Sequence, residues 1–208
     1  MIENIVSNNG HKYVDLDLPS GTLWAICNVG AERHSESGLY FQWGDIQGYK
    51  FNQIGTGTEQ KKFAEDWSDY KWNPSGDGKT FTKYTTKGDM LDLKDDAAHV
   101  YMGGSWHMPT PKQCRELINN TINTWRELNS GVKGTIFTSK KDKSKSIFIP
   151  AAGFARNGLV SNIRDFGCVW SSMMMSTDYC QFLVFNLRGA GINGDQLCYG
   201  MSVRGVIG

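Results

Sequence analysis

The chain has 208 residues, 39% of them apolar, with a formal net charge of +1. This length and apolar share suffice for one sizeable core, so one domain is expected. The charge balance carries no polyanion-binding signature, and no run reaches the roughly eighteen apolar residues of a membrane span; nucleic acid and membrane insertion are both set aside as expected partners.

The opening MIENIVSNNGHKY lacks a basic stretch followed by an apolar one, so an ordinary secretion signal is not read there. Residues 1–11 are set apart as an N-terminal segment, too short and irregular for a coiled coil, ahead of a domain at 12–208. From Lys12, Val14, Leu16 and Leu18 alternate on one side before Pro19-Ser20-Gly21, the pattern of a strand entering a hairpin turn. Leu23 to Cys27 is then a continuous apolar run, as in a strand covered on both sides. From Gly48 to Lys87 turn residues recur among scattered Trp67, Tyr70, Trp72, Phe81 and Tyr84. A long irregular loop pinned by its aromatics is expected, of a length that is usually functional or mobile.

Two helices follow. Leu91–Met102 places Leu93, Ala97, Val100 and Tyr101 at helical spacing and is closed by Gly103-Gly104. The second opens at Thr110, with Pro111 in the first helical position and Gln113 completing a capping box. Cys114, Leu117, Ile118 and Thr121 then share one face, which makes Cys114 a core residue. Beyond Trp125 short strands are read at 134–139 and 146–151, flanking the solvated turn Lys140–Lys145, and at 168–171, 181–186, 195–199 and 201–206. Early helices and late strands predict an α+β domain, helices packed on one side of an antiparallel sheet.

Catalytic signatures are absent: no nucleophile elbow, phosphate loop, dinucleotide fingerprint or zinc-protease helix occurs. His11, His34, His99 and His107 stand far apart, and His99 reads as a half-buried structural residue. Glu36, Asp45, Asp66 and Asp69 are the carboxylates that could pair as acid and base, but loops carry such residues routinely. No catalytic residue, metal ligand or cofactor is assigned. The five cysteines, Cys27, Cys114, Cys168, Cys180 and Cys198, are odd in number and form no CxxC pair, so reduced thiols are expected. A pairing among Cys168, Cys180 and Cys198 stays open if their strands are neighbours.

The ordered phrases VDLDLPSGTLWAICNVGA (14–31), YFQWGD (40–45), DAAHVYMGGSWHMPT (96–110), IFIPAAG (147–153), VWSS (169–172) and GMSVRGV (200–206) resemble a gut-bacterial and phage family of C-type lectin-like domains in the branch related to formylglycine-generating enzymes. The resemblance covers roughly residues 12–206. His107, Ile149, Val169 and Gly205 depart from the family phrases, which bears on local turns. Many members of the group are variable proteins of diversity-generating retroelements, in which adenine-directed mutagenesis rewrites the last part of the gene and the lectin-like fold displays the result. The resemblance therefore implies a non-enzymatic, calcium-independent receptor-binding protein with a variable region near 161–200. Its partner would be a protein or glycan receptor on a cell surface. The family setting also admits a homo-oligomer. Its expected location is the virion, as a phage tail or head appendage, with a bacterial cell surface as the alternative.

Composition fits this expectation in part. No lysine or glutamate occurs from Ser161 to Gly208, although core strands avoid lysine in any case. Met173, Met174 and Met175 cannot arise from rewritten asparagine codons. Alternation assigns Leu183 and Phe185 to the core and turns Cys180, Phe182, Val184 and Asn186 outward. The expected displayed surface is Cys168, Met173, Met174, Tyr179, Cys180, Phe182, Val184, Asn186, Arg188, Ala190, Asn193 and Asp195, with Trp170 and Val203 buried. Two alternatives stand beside it: an oxidase resembling the formylglycine-generating enzymes, for which Cys180 and Cys198 invite comparison, and an invariant structural protein of a virion or envelope.

Overall fold

A computed structural model describes residues 6–54 and 62–208 of the chain. Its elements are β1 (Val6–Asn8), β2 (His11–Asp15), β3 (Leu23–Ala25) and β4 (Tyr40–Phe41), then helices α1 (Ala97–Met102) and α2 (Pro111–Asn120). Ten strands follow: β5 (Thr121–Glu127), β6 (Lys133–Ser139), β7 (Ser146–Pro150), β8 (Phe154–Arg156), β9 (Leu159–Ser161), β10 (Gly167–Met174), β11 (Tyr179–Asn186), β12 (Gly189–Gln196), β13 (Met201–Ser202) and β14 (Val206–Ile207). The sheets run β1-β2-β3-β14, β12-β11-β10-β13-β4 and β5-β6-β7, with β8-β9 as a separate hairpin. Pairing between these strands is antiparallel except for β10 with β13, and the architecture is α+β.

The chain closes on itself. Val206 and Ile207 pair with Trp24 and Leu23, so the C-terminal strand lies beside an N-terminal one. The single strand expected at 201–206 is instead two short ones in different sheets, because the chain crosses between them at Val203-Arg204-Gly205. At that crossing Arg204 is fully buried and donates to Asn28 Oδ1 (2.8 Å), Ala25 O (2.9 Å) and Phe148 O (3.4 Å). Burial pulls its pKa down to about 10, yet the guanidinium stays charged at neutral pH. One side chain thus ties β3 and the loop at Asn28 to β7.

Helix α2 forms where its cap predicts: Thr110 Oγ1 accepts from Gln113 N (3.2 Å), Gln113 Oε1 accepts from Thr110 N (2.8 Å), and Cys114 and Leu117 are fully buried. Helix α1 is shorter than the expected 91–102. Asp96 caps it by accepting from His99 N (2.9 Å), and Leu93 precedes it in a 3-10 turn. That start rotates the buried face onto Ala97, Ala98 and Met102, leaving Leu93, Val100 and Tyr101 exposed. The β-branched run after α2 forms β5 at once, a strand the helical reading through Thr121 hid.

Most of the core divides across the five-stranded sheet. On one face Val169, Leu183 and Phe185 pack with Cys114, Leu117 and Phe137, with Val14 and Trp24 from the first sheet, and with Leu16 just beyond β2. On the other Cys168, Trp170, Cys180 and Phe182 pack under Phe41, Trp43, Trp67, Tyr70 and Tyr199. The long irregular segment supplies much of that cover. Trp43 Nε1 donates to Ser171 O (2.8 Å), Trp170 Nε1 to Phe41 O (2.9 Å) and Tyr70 OH to Trp43 O (2.8 Å), which satisfies the polar edges of the buried aromatics. Residues 55–61 of the expected loop lie outside the described residues, as do residues 1–5 of the N-terminal segment.

Candidate functional site

The β11–β12 hairpin forms one end of the five-stranded sheet. Its register pairs Cys180 with Asp195, Phe182 with Asn193, Val184 with Gly191 and Asn186 with Gly189, so these residues share a face. The expected parity along β11 is therefore correct. The expected exposure holds only in part.

Phe182 is buried at 4% exposure and meets Trp170 edge-on, with ring centroids 5.8 Å apart. Cys180 is fully buried, its thiol within reach of Met173 O and Gln181 O, both at 3.2 Å. Cys168 is buried opposite Val184, and Met174 is buried with its amide bonded to Asp89 O (2.9 Å). Four expected surface residues, Cys168, Met174, Cys180 and Phe182, are thus core. The physical reason is the cover described above: the aromatic-rich segment lies over this face instead of standing free. Ala190 is half-buried but pairs with Phe185, on the opposite face.

The remaining residues do reach the surface. Arg188 and Asn193 are exposed, and Tyr179, Val184, Asn186 and Asp195 are half-buried. Met173 is half-buried and bridges to Met90. Arg188 sits at the hairpin tip, its amide bonded to Asn186 Oδ1 (2.7 Å). Val184, Asn186, Asn193 and Asp195 make the outer strip of the sheet face. Two glycines leave that strip open, since a Cβ at Gly189 or Gly191 would meet nothing within 4 Å. Gly167, opposite Phe185, is the contrast: a Cβ there would lie 1.9 Å from the phenyl ring.

Sequence reasoning missed the β8–β9 hairpin. Its signal is the Asn157-Gly158 pair, whose left-handed φ values of 50° and 72° suit a two-residue turn. Arg156 on this hairpin binds Glu65 (3.1 Å) and lies over the Tyr199 ring, 5.6 Å from its centroid. Tyr199 OH donates to Glu65 Oε1 (3.1 Å), and Phe154 stacks on Tyr199. Arg156 is also close enough to Asp195 to stabilise its anion. Burial nevertheless raises the Asp195 pKa, with Gln196 N–H and Arg156 opposing the rise. A polar cluster with aromatic backing thus adjoins the strip.

Among the described residues no three His, Cys, Asp or Glu side chains gather as metal ligands. His99 is half-buried with Nδ1 3.0 Å from Trp106 O, and Asp69 accepts from Ala64 N (2.9 Å) and Gln42 Nε2 (3.0 Å), both structural roles. All five thiols are free. Burial pushes the pKa of Cys168 up to about 12 and those of Cys180 and Cys198 well above the ordinary thiol value, so these three are protonated at neutral pH. A separate pocket of about 550 Å³, lined by Gly10–Lys12, Ala25–Glu32, Tyr101 and Met102, shares no residue with the strip. No helix of the described residues is long and apolar enough to cross a membrane. Comparison with protein-family models, curated proteins and solved structures gives no match for this chain.

Proposed function

We propose that this chain is a non-enzymatic receptor-binding domain of C-type lectin-like fold, which presents the outer strip and tip of the β11–β12 hairpin to a protein or glycan on a cell surface. In this reading the strip is rewritten by a diversity-generating retroelement, and the protein serves as a phage appendage or bacterial surface adhesin. The observation that carries the proposal is the division of the hairpin. Its Cys180, Phe182, Leu183 and Phe185 are locked into the core, whereas Val184, Asn186, Arg188, Asn193 and Asp195 reach solvent beside glycines with open space above them. Side chains of many sizes fit such a surface without disturbing the scaffold, which is what a variable binding face requires. The burial and protonation of Cys180 and Cys198 weigh against the oxidase reading, since the thiolate is the reactive form.

The test is binding of the labelled protein to bacterial envelope preparations and glycan arrays. A matched variant carries Val184→Ser, Asn186→Ala, Arg188→Ala, Asn193→Ala and Asp195→Ala. Binding by the parent, lost in a variant that melts normally, supports the proposal. Binding unaffected by all five changes overturns it. Neighbouring DNA tests the retroelement part: a near-copy of the segment encoding 161–200, differing at adenines beside a reverse transcriptase gene, is the expected finding.

A further inference from the structure

Strand β12 ends the five-stranded sheet: among the described residues the only strand hydrogen-bonded to it is β11, while β5 and α2 pack against it. Leu197 N donates to Asp178 O (3.1 Å), in register with the Asn186–Gly189 pair that closes the hairpin. By the two-residue alternation of an antiparallel ladder, Gly189, Gly191, Asn193 and Asp195 therefore turn their main-chain groups toward β11. Ala190, Ile192, Gly194 and Gln196 turn theirs to the open edge. Two of those outward N–H groups are held by the preceding side chain: Gly194 N by Asn193 Oδ1 and Gln196 N by Asp195 Oδ1, both at 2.9 Å. The N–H groups of Ala190 and Ile192 point outward without such a partner.

Sheet edges in monomers are commonly blunted by lysine, proline or a bulge. The sequence of β12, GAGINGDQ, has neither residue, and its eight-residue pairing with β11 runs without a shift. Its charges are polar end to end: exposed Arg188 stands at the tip, while Asp195 and Asp178 stand at the base. An antiparallel copy related by a two-fold through Ile192 sets Ala190 opposite Gly194 and Arg188 opposite Gln196. Each Arg188 then lies beside the Asp195 of the other copy. A parallel copy would instead set like charges side by side.

We propose that β12 pairs antiparallel with β12 of a second copy of this chain, joining two five-stranded sheets into one. The two outer strips then lie side by side on one continuous face. This dimer is independent of what the strip binds.

Sedimentation of the full chain, from micromolar to millimolar, is the test. The expected result is a reversible dimer that Arg188→Asp or Asp195→Arg alone weakens about tenfold, and that the two changes combined in one chain restore. Ile192→Pro, which removes an outward N–H at the two-fold, should abolish it; circular dichroism establishes that each variant is folded. A parent that stays monomeric throughout overturns the proposal, even if a receptor strand occupies the edge. A dimer indifferent to the charge reversals, or one not restored by the double change, also overturns it.

Discussion

Trp170 and Phe182 face each other across β10 and β11 with their rings nearly perpendicular, at 84°, and both are buried. Phe185, on the opposite face of the same strand, is edge-on to Phe137 at 5.7 Å and is buried as well. β11 is therefore buried on both faces, by Cys180 and Phe182 on one and by Leu183 and Phe185 on the other. Phe182→Ala should destabilise by about 3–5 kcal/mol, as should Phe185→Ala, because each leaves a cavity the neighbours cannot close. Asn193→Ser, at the exposed position beside Phe182, should change stability by under about 0.5 kcal/mol. Denaturant melts of the three variants check this.

How far this was legible in the sequence is clear from the same strand. Two-residue alternation separated Leu183 and Phe185 from Phe182 and Val184 correctly, because backbone geometry dictates parity. It could not say that the second face is covered, since the cover comes from Trp43, Trp67 and Tyr70, more than a hundred residues away. The capping box at Thr110 was readable because its chemistry lies within four residues. β12 was not: three glycines in eight residues suppress strand propensity, and the strand was expected at 195–199 instead. Of the candidate site, the solvent-reaching residues on β11 and β12 were legible. The Arg156–Glu65–Tyr199 cluster was hidden, because distant segments assemble it.

Thiol labelling separates the cysteines. Cys27 is the half-buried one, and Cys114, Cys168, Cys180 and Cys198 are buried. A maleimide reagent should modify one thiol in the native protein and all five in denaturant. Rapid native labelling of Cys180 or Cys198 would reopen the oxidase alternative.

Asp95 gives the irregular segment a pH dependence. It is 4% exposed and accepts from Lys83 (2.5 Å), Tyr84 OH (2.8 Å) and Lys71 (3.3 Å). Burial acts to raise its pKa, but those donors outweigh burial and hold it below the usual value. A carboxyl whose pKa is lowered by folding stabilises the fold fully above its unfolded pKa, and loses that contribution as pH falls through the folded one. Thermal melts from neutral into acid should show a loss that Asp95→Asn reduces, with the variant less stable than the parent at neutral pH.

Arg204→Ala should cost about 3 kcal/mol or more, since it strands Asn28 Oδ1 and Ala25 O in the core. Lysine should not rescue it, because one ammonium cannot reproduce the three-sided guanidinium contact. Melts of both variants read the outcome.

The proposed division of the hairpin into fixed core residues and a variable outer strip is tested most directly by two matched libraries. One randomises Val184, Asn186, Arg188, Asn193 and Asp195; the other randomises Cys168, Trp170, Met174, Cys180 and Phe182. The measurement is the fraction of clones resisting proteolysis under native conditions. Most clones of the first library should resist and most of the second should be digested. Equal survival of the two libraries would contradict the account.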